Sequence, residues 1–336
     1  MNLKISMNNI SFNESLKKLG KKYKIYGPKL FPFAGRTSDT DLVRYAEVST
    51  IEEMVFDKKS DFSPKEILLP QNETMFYFTE KEYKEPDIEE KDTLIFLKSC
   101  DLHSVKRFDE IYLKNKFSDI YYAQRREKIK FVVVGCKTGF DSCFCVSMGT
   151  NIPENYSMGI NIRDSEVELE ILDEELKDIF NGEEKKFKID TVTENKIELN
   201  IPNEINLEDV IDLKLWREYD KRCVACGKCN FVCPTCTCTT TQDIFYTENE
   251  NTGERKRVWA SCHVDGFTDM AGGHEFRKKH GDRMRFKTMH KIGDFKKRFG
   301  YHMCTGCGRC DDACPEHISF SNCIKKLIAE LGGENE

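Results

Sequence analysis

Short apolar runs alternate with helix-compatible stretches in the first half of the chain. One apolar run covers residues 93–97, a second covers residues 131–134, and a plausible helix lies between them within residues 101–130. A run, a helix and a run in this order are typical of a βαβ unit with a parallel sheet. We therefore predict an N-terminal domain of the α/β or α+β class that contains a parallel βαβ unit.

A different pattern follows this unit. Residues 166–172 alternate strictly between glutamates and apolar side chains, and residues 187–189 and 197–201 alternate again. Alternation with a period of two is typical of half-buried strands. The sequence therefore predicts an antiparallel β section in the same domain.

Helical spacing dominates the last third of the chain. Asn206 stands where it could cap a helix over residues 207–215, and an apolar stripe with helical period runs through residues 320–331. Cys323 lies in this stripe, so we interpret it as a packing residue. We predict two domains: residues 1–204 form the α/β domain, and residues 205–336 form an α-helical ferredoxin-like domain.

Composition narrows the classes of function. The chain has 336 residues, 39% of them hydrophobic, and a formal net charge of −6, which argues against nucleic acid as a partner. No apolar run approaches the roughly 20 residues of a membrane helix, and the first residues lack the apolar core of a signal peptide. We therefore expect a cytoplasmic protein with no membrane partner. In a reducing compartment, its 16 cysteines are more typical of metal ligands than of disulfides.

Two cysteine motifs with the same spacing indicate which metal. They read Cys223-x2-Cys226-x2-Cys229-x3-Cys233-Pro234 and Cys304-x2-Cys307-x2-Cys310-x3-Cys314-Pro315. This is the bacterial 4Fe-4S signature, in which the fourth cysteine ligates the other cluster. We predict one 4Fe-4S cluster on Cys223, Cys226, Cys229 and Cys314, and a second on Cys304, Cys307, Cys310 and Cys233. Structural zinc instead uses two cysteine pairs around one ion.

Four more cysteines surround the predicted βαβ unit. Cys100 follows the first apolar run and Cys136 follows the second, so parallel strands would bring both to the carboxyl edge of the sheet, where α/β folds build sites. Cys143 and Cys145 come shortly afterwards. We interpret Cys100, Cys136, Cys143 and Cys145 as ligands of a third 4Fe-4S cluster. Buried free thiols and a zinc site remain open alternatives, and His103 could be an alternative ligand.

The remaining chemistry is less specific. Cys236 and Cys238 follow the first motif closely and are expected to line its cluster pocket, whereas Cys262 has no predicted partner. Residues 275–298 hold ten Lys or Arg against three acidic residues. We interpret this basic segment as a solvated face that docks a partner. Compensation of cluster charge and nucleic-acid binding are the alternatives.

The motifs of a substrate-converting enzyme are missing from the sequence. It contains neither the dinucleotide fingerprint G-x-G-x-x-G nor a phosphate-binding loop, and no catalytic residue is assigned. Iron–sulfur centres pass single electrons, and a flavin is the usual converter between them and nicotinamide. We therefore expect an electron-transfer subunit that works with a flavin-containing partner.

Five blocks of sequence resemble a known family. They are LKSCDLHSVKRFDEIYL, GCKTGFDSCFCVSMGT, CVACGKCNFVCPTCTC, WASCHVDGFTDMAGGHEFR and CTGCGRCDDACP. In their order and spacing the chain resembles the A subunit of anaerobic sulfite reductase, and it is also similar to the beta subunits of sulfhydrogenases.

The resemblance implies a hetero-oligomer in which this chain relays electrons. The donor would be a flavin subunit that oxidises NAD(P)H, and the acceptor a sirohaem subunit that reduces sulfite to sulfide. A relay within an NAD(P)-linked sulfhydrogenase, or one like that of heterodisulfide reductase, is the alternative. An enzyme that reduces disulfides through Cys236 or Cys238 is a further hypothesis.

Overall fold

The computed structural model describes residues 3–87, 91–249 and 251–332, and within these ranges strands and helices are interleaved. The strands are β1 Leu3–Asn8, β2 Tyr23–Phe31, β3 Leu42–Glu47, β4 Asn72–Phe78, β5 Tyr83–Lys84, β6 Asp92–Leu97, β7 Ile129–Val134, β8 Met158–Ile162, β9 Glu166–Ile171, β10 Glu183–Glu184, β11 Thr239–Phe245, β12 Gly253–Trp259, β13 Asp269–Met270 and β14 His274–Glu275.

The helices are mostly short. They are α1 Asn9–Lys22, α2 Lys65–Leu68, α3 Ser99–Tyr112, α4 Ile120–Glu127, α5 Glu174–Lys177, α6 Leu207–Val210, α7 Trp216–Arg222, α8 Lys228–Phe231, α9 His280–Met289, α10 Phe295–Phe299, α11 Arg309–Ala313 and α12 Phe320–Leu331. A 3-10 turn covers Ile51–Glu53, and a π-helical segment, His290–Asp294, joins α9 to α10. In the described ranges no helix combines the length and the apolar character that a membrane span requires.

The chain divides into two compact units, and neither is a single stretch. The first unit holds the described residues of Met1–Pro64, Glu89–Glu198 and Thr305–Cys307. The second holds those of Lys65–Ile88, Leu199–Cys304 and Gly308–Glu336. The change between residues 198 and 199 lies near the predicted boundary at 204/205. The sequence interpretation did not include the segment after Lys65 in the second unit, or the three residues from Thr305 in the first.

An eight-stranded sheet forms the first unit, in the order β10-β1-β9-β8-β7-β6-β2-β3. β6 pairs in parallel with both β2 and β7, with Leu97 opposite Val133. The predicted parallel βαβ unit is therefore confirmed. Because β6 is covered on both faces, residues 94–97 are fully buried, which explains their continuous apolar run.

Helix α1 covers part of this sheet. The Asn8 side chain accepts a 2.8 Å hydrogen bond from the Ser11 backbone N–H and so caps the helix. Phe12, Leu16 and Leu19 then repeat at helical spacing and are buried in the main core of the unit. This packing holds α1 against the sheet whose strands β6 and β7 lead to Cys100 and Cys136.

The antiparallel prediction is only partly right. β9 pairs antiparallel with β8 and β1, as the alternation in residues 166–172 predicts. Residues 187–189 and 197–201 form no strand. Part of their backbone bonds to a side chain instead: Asn161 Nδ2 donates to the Lys188 carbonyl oxygen at 2.9 Å, and Asn161 Oδ1 accepts from the Asp190 N–H at 2.9 Å. Alternating burial therefore arises there without a strand ladder.

The second unit contains the expected helices and also a four-stranded sheet, in the order β11-β12-β4-β5. The predicted helix over residues 207–215 is only the four-residue α6, after which the chain turns and begins α7. The sequence interpretation of an α-helical domain did not include the sheet. Its β11–β12 hairpin lies between the two cysteine motifs, and β12 pairs antiparallel with β4.

Candidate functional site

Cys100 and Cys136 both lie just beyond the carboxyl ends of parallel strands. Cys100 is in the first turn of α3, three residues after Leu97, and Cys136 follows β7 at the same distance from Val133. Because Leu97 and Val133 are paired in register, both cysteines come to one edge of the sheet. The Lys98 side chain is half-buried there, and its ammonium lies close to both thiols.

Cys143 and Cys145 are buried in the loop after β7, close to Cys136. Burial raises the pKa of the Cys145 thiol to about 11, and the nearby Cys143 and Cys136 add to the shift. Asn195 holds this loop, because its Oδ1 accepts from the Val146 N–H at 2.9 Å. The segment without strands that contains Asn195 therefore serves as a wall of the upstream cysteine site.

His103, one alternative ligand, has both ring nitrogens engaged. Nε2 lies 2.7 Å from the Ile152 carbonyl oxygen, to which it donates, and Nδ1 lies 3.4 Å from the Arg107 guanidinium. Burial lowers the pKa of His103 and so favours the neutral ring. The residue is a helix-side packing group rather than a fifth member of the cysteine set.

Within the first unit, the middle of the second motif contacts the loop that carries Cys143 and Cys145. The Phe144 N–H donates to the Gly306 carbonyl oxygen at 2.8 Å, and the Cys143 thiol lies 3.7 Å from the Cys307 carbonyl oxygen. Gly306 has φ +66°, and a Cβ there would lie 2.5 Å from the Phe144 carbonyl oxygen. Only glycine fits this approach.

Four cysteines that were predicted to share a cluster line one cavity in the second unit. The cavity encloses about 480 Å³ of empty space, including some open to solvent. Its lining includes Cys223, Cys226, Cys229 and Cys314 together with Cys310, Gly227, His263, Lys287 and Phe320. Two cysteines of the second motif, Cys310 and Cys314, thus lie with three of the first, and Cys314 is the one that cross-ligation assigns to this cluster.

The loop of the first motif turns sharply at Gly227. Its φ is +74°, and a Cβ would lie 2.8 Å from Val264 and 3.0 Å from Ser261. The tight turn before α8 directs Cys226 and Cys229 towards the same cavity. Five cysteines line this cavity, one more than a 4Fe-4S cluster needs, and the backbone at Gly227 leaves no room for a larger residue, so the site fits a bound cluster.

Three residues of the basic segment 275–298 form a buried row, so the segment is not only a solvated face. Arg283, Lys287 and Lys291 follow each other at intervals of four residues, and each is at most 4% exposed. The interpretation of the segment as a solvated partner dock is therefore wrong for these three residues. Arg283 pairs with Asp265 and with Glu275, whereas the two lysines face the cysteines.

Lys287 stands among cysteines of both motifs. Burial alone would favour the neutral amine, but the surrounding Cys229, Cys310 and Cys233 raise the pKa of Lys287 well above its ordinary value. Its ammonium also hydrogen-bonds the Cys229 sulfur. A fixed positive charge at this position would compensate the negative charge of thiolate-bound clusters.

Lys291 organises the other end of the row. Its Nζ donates to the Thr235 carbonyl oxygen at 2.9 Å and to Thr235 Oγ1 at 2.8 Å, and its carbonyl oxygen accepts from the Cys304 N–H at 3.2 Å. Cys233 lies near the same ammonium. Cys304, Cys310 and Cys233 belong to the second unit, whereas Cys307 is part of the first.

The structure also gathers Cys236, Cys238 and Cys262. The first two were expected to line the cluster pocket of the first motif, but they do not line the cavity at Cys223, and Cys262 had no predicted partner. Cys238 immediately precedes β11, and its carbonyl oxygen accepts from the Ala260 N–H, so the hairpin brings Cys262 beside it. The Cys238 thiol hydrogen-bonds both Cys236 and Cys262. The hairpin pattern of residues 239–259 was the signal that could have predicted this meeting.

A second buried lysine accompanies these thiols. Lys65 Nζ lies 3.6 Å from the centre of the Trp259 ring and close to Cys236 and Cys238. The hydrogen bond from Cys238, with Lys65 and Lys291 nearby, lowers the pKa of Cys236 well below its ordinary value. No sequence motif pointed to Lys65, because it lies far from the cysteine motifs in the chain.

Comparison with known protein families agrees with the interpretation of the cysteine-lined cavity as an iron–sulfur site. Residues 222–318 match the family described as 4Fe-4S dicluster domain. The expectation of 4Fe-4S chemistry is therefore confirmed, while the number of clusters stays a prediction. The matched stretch contains every cysteine of the two motifs and also Cys236, Cys238 and Cys262.

The whole chain also has a curated relative. It is 29% identical to sulfhydrogenase 2 subunit beta of Pyrococcus furiosus over 341 aligned residues, which cover 94% of this chain and 96% of the relative. The similarity to sulfhydrogenase beta subunits is thus confirmed. No solved structure matches the chain significantly.

Proposed function

We propose that this chain is a cytoplasmic electron-transfer subunit of a hetero-oligomeric oxidoreductase. The observation that carries the proposal is the cavity lined by Cys223, Cys226, Cys229 and Cys314, which joins the two ferredoxin-type motifs in one site. When bound, 4Fe-4S clusters supply one-electron transfer. The chain's own residues hold the clusters by thiolates and offset their charge with the buried Lys287.

Three centres per chain are the expected complement. Cys304, Cys307, Cys310 and Cys233 would hold the second cluster, and Cys100, Cys136, Cys143 and Cys145 the third. Within the first unit, the hydrogen bond between Phe144 and Gly306 joins the loop that carries Cys143 and Cys145 to the residue before Cys307.

The test is iron and acid-labile sulfide per chain after strictly anaerobic purification, with electron paramagnetic resonance of the reduced protein. We expect about twelve irons, the content of three such clusters. About eight irons would mean that Cys100, Cys136, Cys143 and Cys145 hold no cluster and take no part in the relay. Fewer than about four, or a redox-silent protein, would overturn the proposal.

The proposed electron donor is a separate flavin subunit. A flavin subunit that oxidises NAD(P)H would supply electrons, since this chain has no fingerprint for either cofactor. Two acceptors are candidates. The five sequence blocks resemble both families, so the acceptor is either a sirohaem subunit that reduces sulfite or, as the similarity to sulfhydrogenase 2 subunit beta favours, a hydrogenase subunit.

Affinity purification of the tagged full chain from its own cells under anaerobic conditions separates the two acceptors. A sirohaem spectrum in the complex supports sulfite reduction, and stoichiometric nickel supports a hydrogenase. Loss of electron transfer in a Cys226→Ser complex, with subunits still bound, would show that the relay runs through this chain.

A further inference from the structure

His263 is a buried histidine with unsatisfied ring nitrogens. Its side chain is only 1% exposed, and among the described residues neither Nδ1 nor Nε2 has a hydrogen-bond partner. Buried polar groups nearly always have a partner, and an unpaired one costs about 1–3 kcal/mol. The imidazole is therefore placed to meet a group other than the side chains and backbone around it.

The backbone fixes where this ring lies. The His263 N–H donates to Ser261 Oγ at 3.2 Å, and the His263 carbonyl oxygen accepts from the Arg283 guanidinium at 3.2 Å. The residue lies in the lining of the cavity formed by Cys223, Cys226, Cys229 and Cys314. The imidazole thus belongs to the walls of the proposed cluster site.

The protein groups around the ring favour its neutral form. Burial, and then the neighbouring Lys287 and Arg283, lower the pKa of His263 to about 3. A neutral imidazole carries one N–H donor and one acceptor nitrogen. Four cysteines already offer the thiolates that a cubane needs, so the ring is not required as an iron ligand.

We propose that the His263 imidazole donates its N–H to a sulfur of the 4Fe-4S cluster held by Cys223, Cys226, Cys229 and Cys314, and thereby raises the reduction potential of that cluster. A donor aimed at cluster sulfur stabilises the more negative, reduced state. The inference rests on the proposed function, since it needs the cluster to be present. His263 acts as a positioning and tuning residue, not as a ligand.

The experiment compares full-length His263→Leu and His263→Gln with the unmodified protein in anaerobic redox titrations followed by electron paramagnetic resonance. In His263→Leu we expect the reduction equilibrium of this cluster to fall about tenfold, which is about 59 mV for one electron. Gln keeps an N–H donor, so His263→Gln should recover much of the potential. Iron content should stay the same in both variants.

His290 supplies the matched control. It is a half-buried histidine whose ring stacks on Phe286 at a centroid distance of 6.1 Å, and burial and Lys291 lower its pKa to about 4. It does not line the cavity. His290→Leu should leave the potential unchanged, so a shift in both variants would indicate a general packing effect and overturn the proposal.

A second readout uses the unmodified protein. With 15N-labelled histidine, pulsed resonance of the reduced cluster should show a weak nitrogen coupling that disappears in His263→Gln. Strong coupling typical of a bound nitrogen would overturn the donor role in favour of a ligand. No coupling from a cluster that is present would overturn the inference alone. A cluster absent from the Cys223 site would instead refute the proposed function.

Discussion

The Phe144 backbone N–H donates a 2.8 Å hydrogen bond to the carbonyl oxygen of Gly306, the residue just before a predicted cluster ligand. Gly306→Ala would put a Cβ 2.5 Å from the Phe144 carbonyl oxygen at φ +66°. We expect a loss of about 1–3 kcal/mol in the free energy of unfolding and a reduced iron content. Anaerobic denaturant titration with iron analysis measures both.

Gly300→Ala is the control for this change. Gly300 also has a left-handed φ of +85°, but no heavy atom lies within 4 Å of the position that a Cβ would take there. This variant should show only the backbone cost and retain its iron. Equal effects of the two substitutions would show that the approach of Gly306 to Phe144 has no importance of its own.

Cross-ligation makes a spectroscopic prediction. Cys314→Ser should perturb the same cluster signal as Cys226→Ser, because cross-ligation assigns both residues to one cluster, although Cys310 lines the same cavity. Cys310→Ser should alter the other signal. If electron paramagnetic resonance of Cys314→Ser shows the change expected for Cys310→Ser, each motif keeps its own fourth cysteine.

Lys287 should raise the potentials of the clusters that it faces. Lys287→Met removes a buried positive charge near Cys229, Cys310 and Cys233, so the reduced states lose stabilisation. We expect reduction potentials lower by about 60 mV, a tenfold change for one electron. Redox titration of exposed Lys297→Met is the control, and equal shifts in both would contradict the role of Lys287.

The upstream cysteines should account for about four irons. Cys145→Ser should lower the iron content by that amount and leave the signals of the C-terminal clusters unchanged. Cys323→Ala should leave the iron content unchanged, because Cys323 is fully buried on the packing face of α12. Iron that remains complete in Cys145→Ser would leave the upstream thiols as packing groups.

A buried ion pair stabilises the sheet of the second unit. Arg257 donates to Glu73 at 2.6 Å, and both side chains are 7% exposed. Arg257→Met leaves the Glu73 carboxylate buried without this guanidinium, so we expect the free energy of unfolding to fall by about 3–5 kcal/mol. Denaturant titration of Arg255→Met, which breaks the exposed pair with Asp243, should show about 0–1 kcal/mol.

Local patterns predicted the parts of the fold that depend on neighbours in sequence. The parallel strands around Cys100 and Cys136 follow from two apolar runs, and the two ferredoxin-type motifs follow from spacing alone. The alternating runs at residues 187–189 and 197–201 misled the interpretation. Neither forms a strand, and at Lys188 and Asp190 a side chain, Asn161, bonds the backbone instead. Alternation of polar and apolar residues indicates which side chains are buried. It does not indicate which groups form hydrogen bonds with the backbone.

The long-range parts of the site could not be predicted in this way. Cys262 meets Cys238 only because a hairpin closes between them, and Lys65 arrives from a segment far from either motif. In the sequence, Lys287 looked like one of many charged residues on a solvent-exposed face. Its inward direction is set by the helix phase relative to cysteines that no local window contains.

The segment from Lys65 to Lys84 has a consequence for how this protein can be rearranged by evolution or by design. A gene fragment that starts at residue 205 would encode both ferredoxin-type motifs, but it would omit β4, Glu73 and Lys65. The hairpin would then expose an unpaired strand edge, and Arg257 would lose its carboxylate partner. The two ferredoxin-type motifs therefore cannot be moved to another protein as residues 205–336 alone. The transferred part must also include the segment from Lys65 to Lys84.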